Sequence, residues 1–270
     1  LDIQPPSLEP KVSEHIEDIL KMIENLESND FAYSKKSSDV YFDIEKFPDY
    51  GKLSNRVQDD LDSGSRIEID KNKKNPNDFV LWKKTNEEPS WNSKWGPGRP
   101  GWHIECSAMS NKYLGANFDI HGGGLDLKFP HHENEIAQSE CANNSDFANY
   151  WIHVAPLNVD GKKMSKSLGN YLTIRDLLND YHPEVLKIFF LLTHYRKPIN
   201  YTNDSIKESK NILDKLYESL KDVKKFNSSE VDNEIIDSFK AALKDDFNTS
   251  KALKILQKIS QGINSNKSDK

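Results

Sequence analysis

Gly161-Lys162-Lys163-Met164-Ser165-Lys166-Ser167-Leu168-Gly169-Asn170 is the stretch on which the reading of this chain turns. Three lysines alternate with small hydroxyl residues, and a glycine stands near each end. Residues of these types predict a mobile cationic loop that closes over a triphosphate and neutralises charge developing during transfer. Lysine acts there as a point charge, which suits phosphate oxygens that move during reaction. A basic surface turn is the plainer account of the same residues. Between Gly161 and Asn200 seven Lys and Arg side chains face three acids, a local excess of +4 in a chain of net charge −6. That excess fits a phosphate footprint, and equally a solvated charged face.

Upstream of the loop, two further groups of residues carry chemistry. His131 and Glu135 are four apart, so a helix beginning after Pro130 puts both on one face. With the distant thiol of Cys106 they form a conceivable zinc ligand set, three donors strong. His132 is three residues from Glu135 and shares that face as well, so spacing does not choose between the two histidines. A buried cysteine beside a histidine-rich helix start is the alternative without metal. His121-Gly122-Gly123-Gly124-Leu125-Asp126 places three glycines where a ligand can press on bare backbone, with a carboxylate two residues on for hydroxyls or an ammonium. A simple turn explains the glycines alone.

The rest of the chain supplies an ordinary scaffold. Of its 270 residues, 36% are hydrophobic and 30% charged. No apolar run approaches the roughly 20 residues that cross a bilayer; the longest, Val185–Leu192, is interrupted by Lys187. Two cysteines, Cys106 and Cys141, are too few for a disulfide framework, which points to a reducing compartment. Leu1 to Pro6 has neither a basic region nor an apolar core of a signal peptide, and the lack of an initiating Met suggests a piece of a longer chain.

Val12, Ile16, Ile19, Leu20 and Ile23 recur at helical spacing and predict an amphipathic helix from Pro10 to about Asn29. Val40–Ile44 and Phe79–Trp82 read as short strands, with a polar, turn-rich stretch between them as far as Asn75. Glu87–Pro100, with three prolines and two glycines, reads as a loop. Gly101 to Asn170 reads as short apolar segments and loops at strand ends, where α/β folds place their sites. Thr173 with Asp176 matches a capping box. After Tyr181 the pattern is helical: one helix from His182-Pro183, one over Ser205–Lys225, one over Val231–Lys244, with Asn227-Ser228-Ser229 as linker. Asn264–Lys270 is too polar to fold by itself.

Lys163-Met164-Ser165-Lys166-Ser167 is letter for letter the KMSKS signature, and it resembles that of class I aminoacyl-tRNA synthetases. Gly101-Trp102-His103-Ile104-Glu105-Cys106-Ser107-Ala108-Met109 is similar to the zinc-ligand segment of the cysteinyl-tRNA synthetase family. His121 to Gly124 running through Phe129-Pro130-His131-His132-Glu133-Asn134-Glu135 resembles that family's next block, and Asp245-Asp246-Phe247-Asn248-Thr249 its helical, anticodon-side region. The motifs span nearly the whole chain, in order and at family-like spacing.

The resemblance implies an α/β fold: the second half of a Rossmann-type catalytic domain over residues 1–180, then an incomplete helical tRNA-binding region over 181–270. It implies one zinc per chain on Cys106, His131 and Glu135, with His131 preferred to His132. The family's fourth ligand and its HIGH motif have no counterpart here, so residues 1–270 are expected to lack an N-terminal part and to be inactive alone. Lys166 and Lys163 match the catalytic lysines. Lys166, Gly123, Asp126 and His121 fall at ATP-binding positions, and Trp102, His121 and Asp126 at the substrate pocket. The implied partners are tRNA(Cys), L-cysteine and ATP with Mg2+; the implied protein is a cytoplasmic monomer away from membranes. The mycothiol-pathway ligase that joins cysteine to an aminosugar shares the zinc and KMSKS-like segments and is the nearest rival. A non-catalytic zinc- or tRNA-binding fragment is the other. The helical tail from Ser205, with Asp246 to Thr249, favours tRNA.

Overall fold

The computed structural model describes residues 1–35, 38–56, 71–221 and 233–268. They form two compact units, Pro6–His153 and Leu1–Pro5 with Val154–Lys270. The expected linker Asn227–Ser229, the first residues of the expected helix at Val231 and part of the turn-rich stretch before Asn75 lie outside the described residues.

In the Pro6–His153 unit, α1 (Ile16–Ser28) realises the amphipathic pattern, burying Ile16, Ile19, Met22, Ile23 and Leu26 along one stripe. Burial of each such side chain contributes about 1.5–3 kcal/mol. The chain continues into β1 (Ala32–Ser34), β2 (Val40–Phe42), β3 (Phe79–Lys84) and β4 (Gly98–Pro100), which form an antiparallel sheet in that order. All three residues of β2 are buried, and Leu81 and Trp82 of β3 are inaccessible. The Glu87–Pro100 segment, expected as loop throughout, therefore ends in a strand, and Trp91 bridges to Gly98.

A larger departure follows. Helix α2 (Trp102–Leu114) occupies sequence expected to be loops and short segments. Its buried face consists of Ile104, Ser107 and Ala108, too small and polar to give an apolar stripe. Gly101 anchors its start: the N–H donates to Leu81 O, and a Cβ at this position would lie 2.0 Å from Val80 O. Gly101→Ala is expected to cost about 1–3 kcal/mol through this overlap, seen as a lowered midpoint in thermal unfolding.

Next come β5 (Phe118–Gly124), a wide π turn over Lys128–His132, α3 (Glu133–Asn143) and β6 (Ala148–Val154), which pairs with β5. The expected helix after Pro130 thus opens in a wide turn, with Phe129 extended, and becomes α-helical only at Glu133. Residues Glu133 to Ser139 are all buried, five of the seven with polar or charged side chains: Glu133, Asn134, Glu135, Gln138 and Ser139. Glu133 accepts hydrogen bonds from the backbone of Gly51 (2.9 Å), Leu53 (3.3 Å) and Ser54 (2.9 Å), and Tyr50 donates to Asn134 at 2.5 Å.

In the second unit, β7 (Leu157–Val159) and β8 (Lys162–Lys163) form a hairpin across Asp160 and Gly161. Both turn residues have positive φ, 49° and 75°, as a type I′ turn requires. The capping box at Thr173 and Asp176 opens α4 (Ile174–Leu177), and His182 caps α5 (Pro183–Leu191). The helical reading beyond Tyr181 is then interrupted by β9 (Ile199–Tyr201), which pairs with β7 in parallel. Helices α6 (Asn203–Leu220), α7 (Asn233–Lys244) and α8 (Thr249–Ser268) complete the unit. Helix α8 carries on through Asn264 to Ser268, sequence expected to be too polar to fold by itself; Asn264 donates to Lys215 O, as does Ser260 one turn earlier. Leu177, Val185, Leu186, Phe189 and Ile206 form the core.

Candidate metal centre and cationic loop

Helix α2 presents Cys106 one turn on from both Trp102 (i, i+4) and His103 (i, i+3), which puts the three on one side of its first turn and a half. The π turn and the start of α3 contribute His131 and Glu135. Ligand atoms of Cys106, His131 and Glu135 all lie within 4.8 Å of one another. Four-coordinate zinc, with bonds of 2.0–2.3 Å, separates its ligand atoms by about 3.5 Å, so a small closure accommodates the ion. A thiol, an imidazole and a carboxylate are donors that zinc accepts.

Burial shapes the protonation of this cluster. It pushes the Cys106 thiol up to about 12, aided by the Glu135 and Glu105 carboxylates. His103 falls to about 4, first through burial and then through His131. Burial raises the Glu135 carboxyl, but His121 and His131 beside it outweigh that and hold it below its usual range. Glu135 Oε1 sits 2.8 Å from His131 Nε2, whereas Oε2 is 3.2 Å from His121 Nε2 and makes no hydrogen bond. A fully buried carboxylate with an unbonded oxygen is a costly arrangement that a cation relieves. His103 Nδ1 contacts His131 Nδ1 at 2.8 Å. Trp102, 60% exposed, lays its indole 4.4 Å from the His131 ring and leaves one wall of the cluster open to solvent.

The two histidines that spacing left open separate in the fold. His132 falls in a second group, with His121 and Glu135, within the same 4.8 Å limit. Its Nδ1 lies 2.8 Å from His153 Nε2, and burial lowers it to about 4. Gly123 makes room for it: a Cβ there would stand 2.8 Å from the His132 ring. Gly123 therefore serves an internal fit in this chain. Asp126 is exposed on the turn that follows β5. Trp102, Cys106, His121, His131 and Glu135 are brought together; His103, against His131, and His153, against His132, stand beside them and were missed. His103 carried a signal, being one turn from Cys106. His153 carried none, since its partner is remote in sequence.

The lysine loop belongs to the other unit. Lys163 ends β8, and Lys162, Lys163 and Lys166 are exposed. Asn170 closes the loop on itself, accepting from the Ser165 N–H at 2.9 Å and donating to Lys163 O at 3.2 Å. Leu168 N–H donates to Ser165 Oγ at 3.2 Å, and Lys166 Nζ stands 5.6 Å over the Tyr171 ring. The ammonium groups point their charge at solvent from a defined turn.

The fold is that of the class I tRNA synthetases. It matches Mycobacterium tuberculosis methionyl-tRNA synthetase in complex with methionyl-adenylate with a TM-score of 0.65 at 12% identity, covering 96% of this chain and 65% of that one. Residues 1–211 match the family of tRNA synthetases class I (C) catalytic domain, to which this chain belongs, and residues 238–270 match the DALR domain. Among curated relatives, the chain is 50% identical over 269 residues to a cysteine--tRNA ligase of Hydrogenovibrio crunogenus. It is 51% identical over 270 residues to one of Legionella pneumophila strain Corby. Each alignment takes in 99% of this chain, which spans 59% of the relative's length.

Proposed function

We propose that the chain is the zinc-bearing, ATP-binding part of an enzyme that attaches cysteine to tRNA(Cys) through cysteinyl-adenylate. The convergence of Cys106, His131 and Glu135 carries this reading, because it supplies donors for zinc beside an open indole wall. When bound, zinc supplies a soft cation that favours a thiolate over a hydroxyl. A site built on one polar contact rejects analogues lacking it by large factors, which explains selection of cysteine without editing. Trp102 would flank the amino acid, and His103 would hold the His131 ring in place through their nitrogen contact.

In activation, the cysteine carboxylate attacks the α-phosphorus of ATP, forming the mixed anhydride and releasing pyrophosphate. Lys166, with Lys163, neutralises charge on the departing phosphates, which Mg2+ accompanies. His121, Gly123 and Asp126 would line the adenylate. The terminal hydroxyl of tRNA then attacks the carbonyl and releases AMP. The catalytic part would occupy 1–180 and the tRNA-binding helices 181–270. The DALR match over 238–270 supports tRNA, rather than an aminosugar, as acceptor. A cytoplasmic monomer is the proposed setting; among the described residues no helix is long and apolar enough to cross a membrane.

Zinc analysis of the purified chain tests the metal and charging of a tRNA(Cys) transcript by the complete polypeptide tests the reaction. One zinc per chain and cysteinylated transcript are expected. A chain that neither retains nor takes up zinc removes the metal, and ligation of cysteine to an aminosugar instead replaces the acceptor. His103→Ala is expected to weaken zinc about 10–100-fold, measured by competition with a chromophoric chelator.

A further inference from the structure

Three consecutive side chains, His194, Tyr195 and Arg196, converge on one carboxylate. Asp246 Oδ1 accepts from Tyr195 OH at 2.5 Å and from Arg196 Nη2 at 3.0 Å. Oδ2 accepts from Arg196 Nε at 2.5 Å, and His194 Nε2 stands 3.7 Å from it. Asp246 sits in the turn between α7 and α8, where it and Phe247 both have a φ of 52°. Two adjacent non-glycine residues in the left-handed region are a strained choice for a connection. The turn holds Asp246 facing the 194–196 segment.

The receiving segment leads to the lysine loop without a break in hydrogen bonding. Tyr195 O accepts from Ala155 N–H at 2.8 Å, and Pro156 O from Ile199 N–H at 3.2 Å. Leu157, Asn158 and Val159 of β7 then pair with Ile199, Asn200 and Tyr201 of β9. Asn200 Oδ1 accepts from Gly161 N–H at 2.8 Å, which fixes the hairpin turn. Asn158 pairs with Lys163, whose carbonyl accepts from Asn170 across the base of the loop.

We propose that Asp246 is a positioning residue: through the Tyr195–Arg196 clamp it sets the placement of β9 against β7, and with it the base of the Lys163–Ser167 loop. The DALR-matched helices thereby bias where Lys166 stands. Exposed ion pairs contribute little to global stability. A bidentate fork, by contrast, fixes orientation, and orientation is what a loop carrying point charges needs. The carboxyl is accordingly held down to about 2, first by the Arg196 hydrogen bond and then by that of Tyr195. The catalytic meaning of the clamp rests on the proposed function; the placement itself does not.

Trypsin supplies the test, since it cuts after Lys163 and Lys166. Asp246→Asn, which keeps a residue tolerant of positive φ, and Arg196→Lys, which keeps the charge but loses the fork, are compared with the native chain and with the double variant. Each single variant is expected to cleave within the loop about fivefold faster, with thermal midpoint and helical content unchanged. The double variant should be no faster than either single one, because both break the same link. Unchanged loop cleavage in both single variants, or rates that multiply in the double variant, overturns the proposal. A loss of helical content parallel to faster cleavage also overturns it, since the carboxylate would then only cap the turn. Addition of ATP separates the two readings. In the complete polypeptide, a native loop that ATP does not protect counts against the nucleotide function, while the rates without ATP still decide the clamp.

Discussion

Replacement of Cys106 by alanine is expected to strip stoichiometric zinc from the purified chain while hardly moving its thermal unfolding relative to the metal-free native chain. The thiol is one of three donors that converge in this chain, and without it only an imidazole and a carboxylate remain. Loss of a direct ligand should weaken binding by more than the roughly 10–100-fold typical of residues one layer out. The structural cost is small by comparison, about 1 kcal/mol or less, since Cys106 is only half-buried. Two controls separate metal from packing. Cys141→Ala removes a buried sulfur outside the cluster, so it should cost stability and leave zinc in place. His132→Ala leaves Cys106, His131 and Glu135 untouched and should keep close to one zinc per chain. A Cys106→Ala chain that still carries one equivalent would sink this donor set.

Lys166→Ala should act on the reaction and not on the metal. Cysteine-dependent pyrophosphate exchange by the complete polypeptide is expected to fall about 10²–10³-fold, the loss typical of a preorganised charge-stabilising group. The fall should appear mainly in kcat, because the charge it meets develops as pyrophosphate departs. Zinc content should stay at the native value. Lys163→Ala keeps the carbonyl that Asn170 uses and should cost less. Exchange that continues at the native rate in Lys166→Ala would remove this lysine from the mechanism.

Elements that declare themselves locally were legible. The apolar spacing of α1, the Thr173–Asp176 box and His182-Pro183 each state their own reason, and the structure places helix starts accordingly. Helix α2 was not legible, and α3 was reached only through the His131–Glu135 spacing, because their buried faces are small or polar. Ile104, Ser107 and Ala108 in one, and Glu133, Asn134, Glu135 and Gln138 in the other, give no apolar period to count. The same holds within the candidate site. Cys106, His131 and Glu135 were named from residue type and family likeness, yet adjacent histidines cannot be told apart by spacing. The wide turn over Lys128–His132 sets His131 against Glu135 Oε1 and His132 against His153, in a group with His121. His153 answers His132 from a strand 21 residues away, a pairing that only tertiary structure creates.

The buried start of α3 dictates how this unit comes apart. Glu133 is wholly inaccessible, and its three backbone donors come from residues 51, 53 and 54. Lifting the helix exposes a carboxylate and frees that loop in the same event, so neither opens by fraying alone. Hydrogen exchange of those three amides should then share one opening free energy with the amides of Ile136 to Ser139. The segment that carries Glu135 and the segment that straps it behave as a single cooperative block joining parts of the chain 80 residues apart.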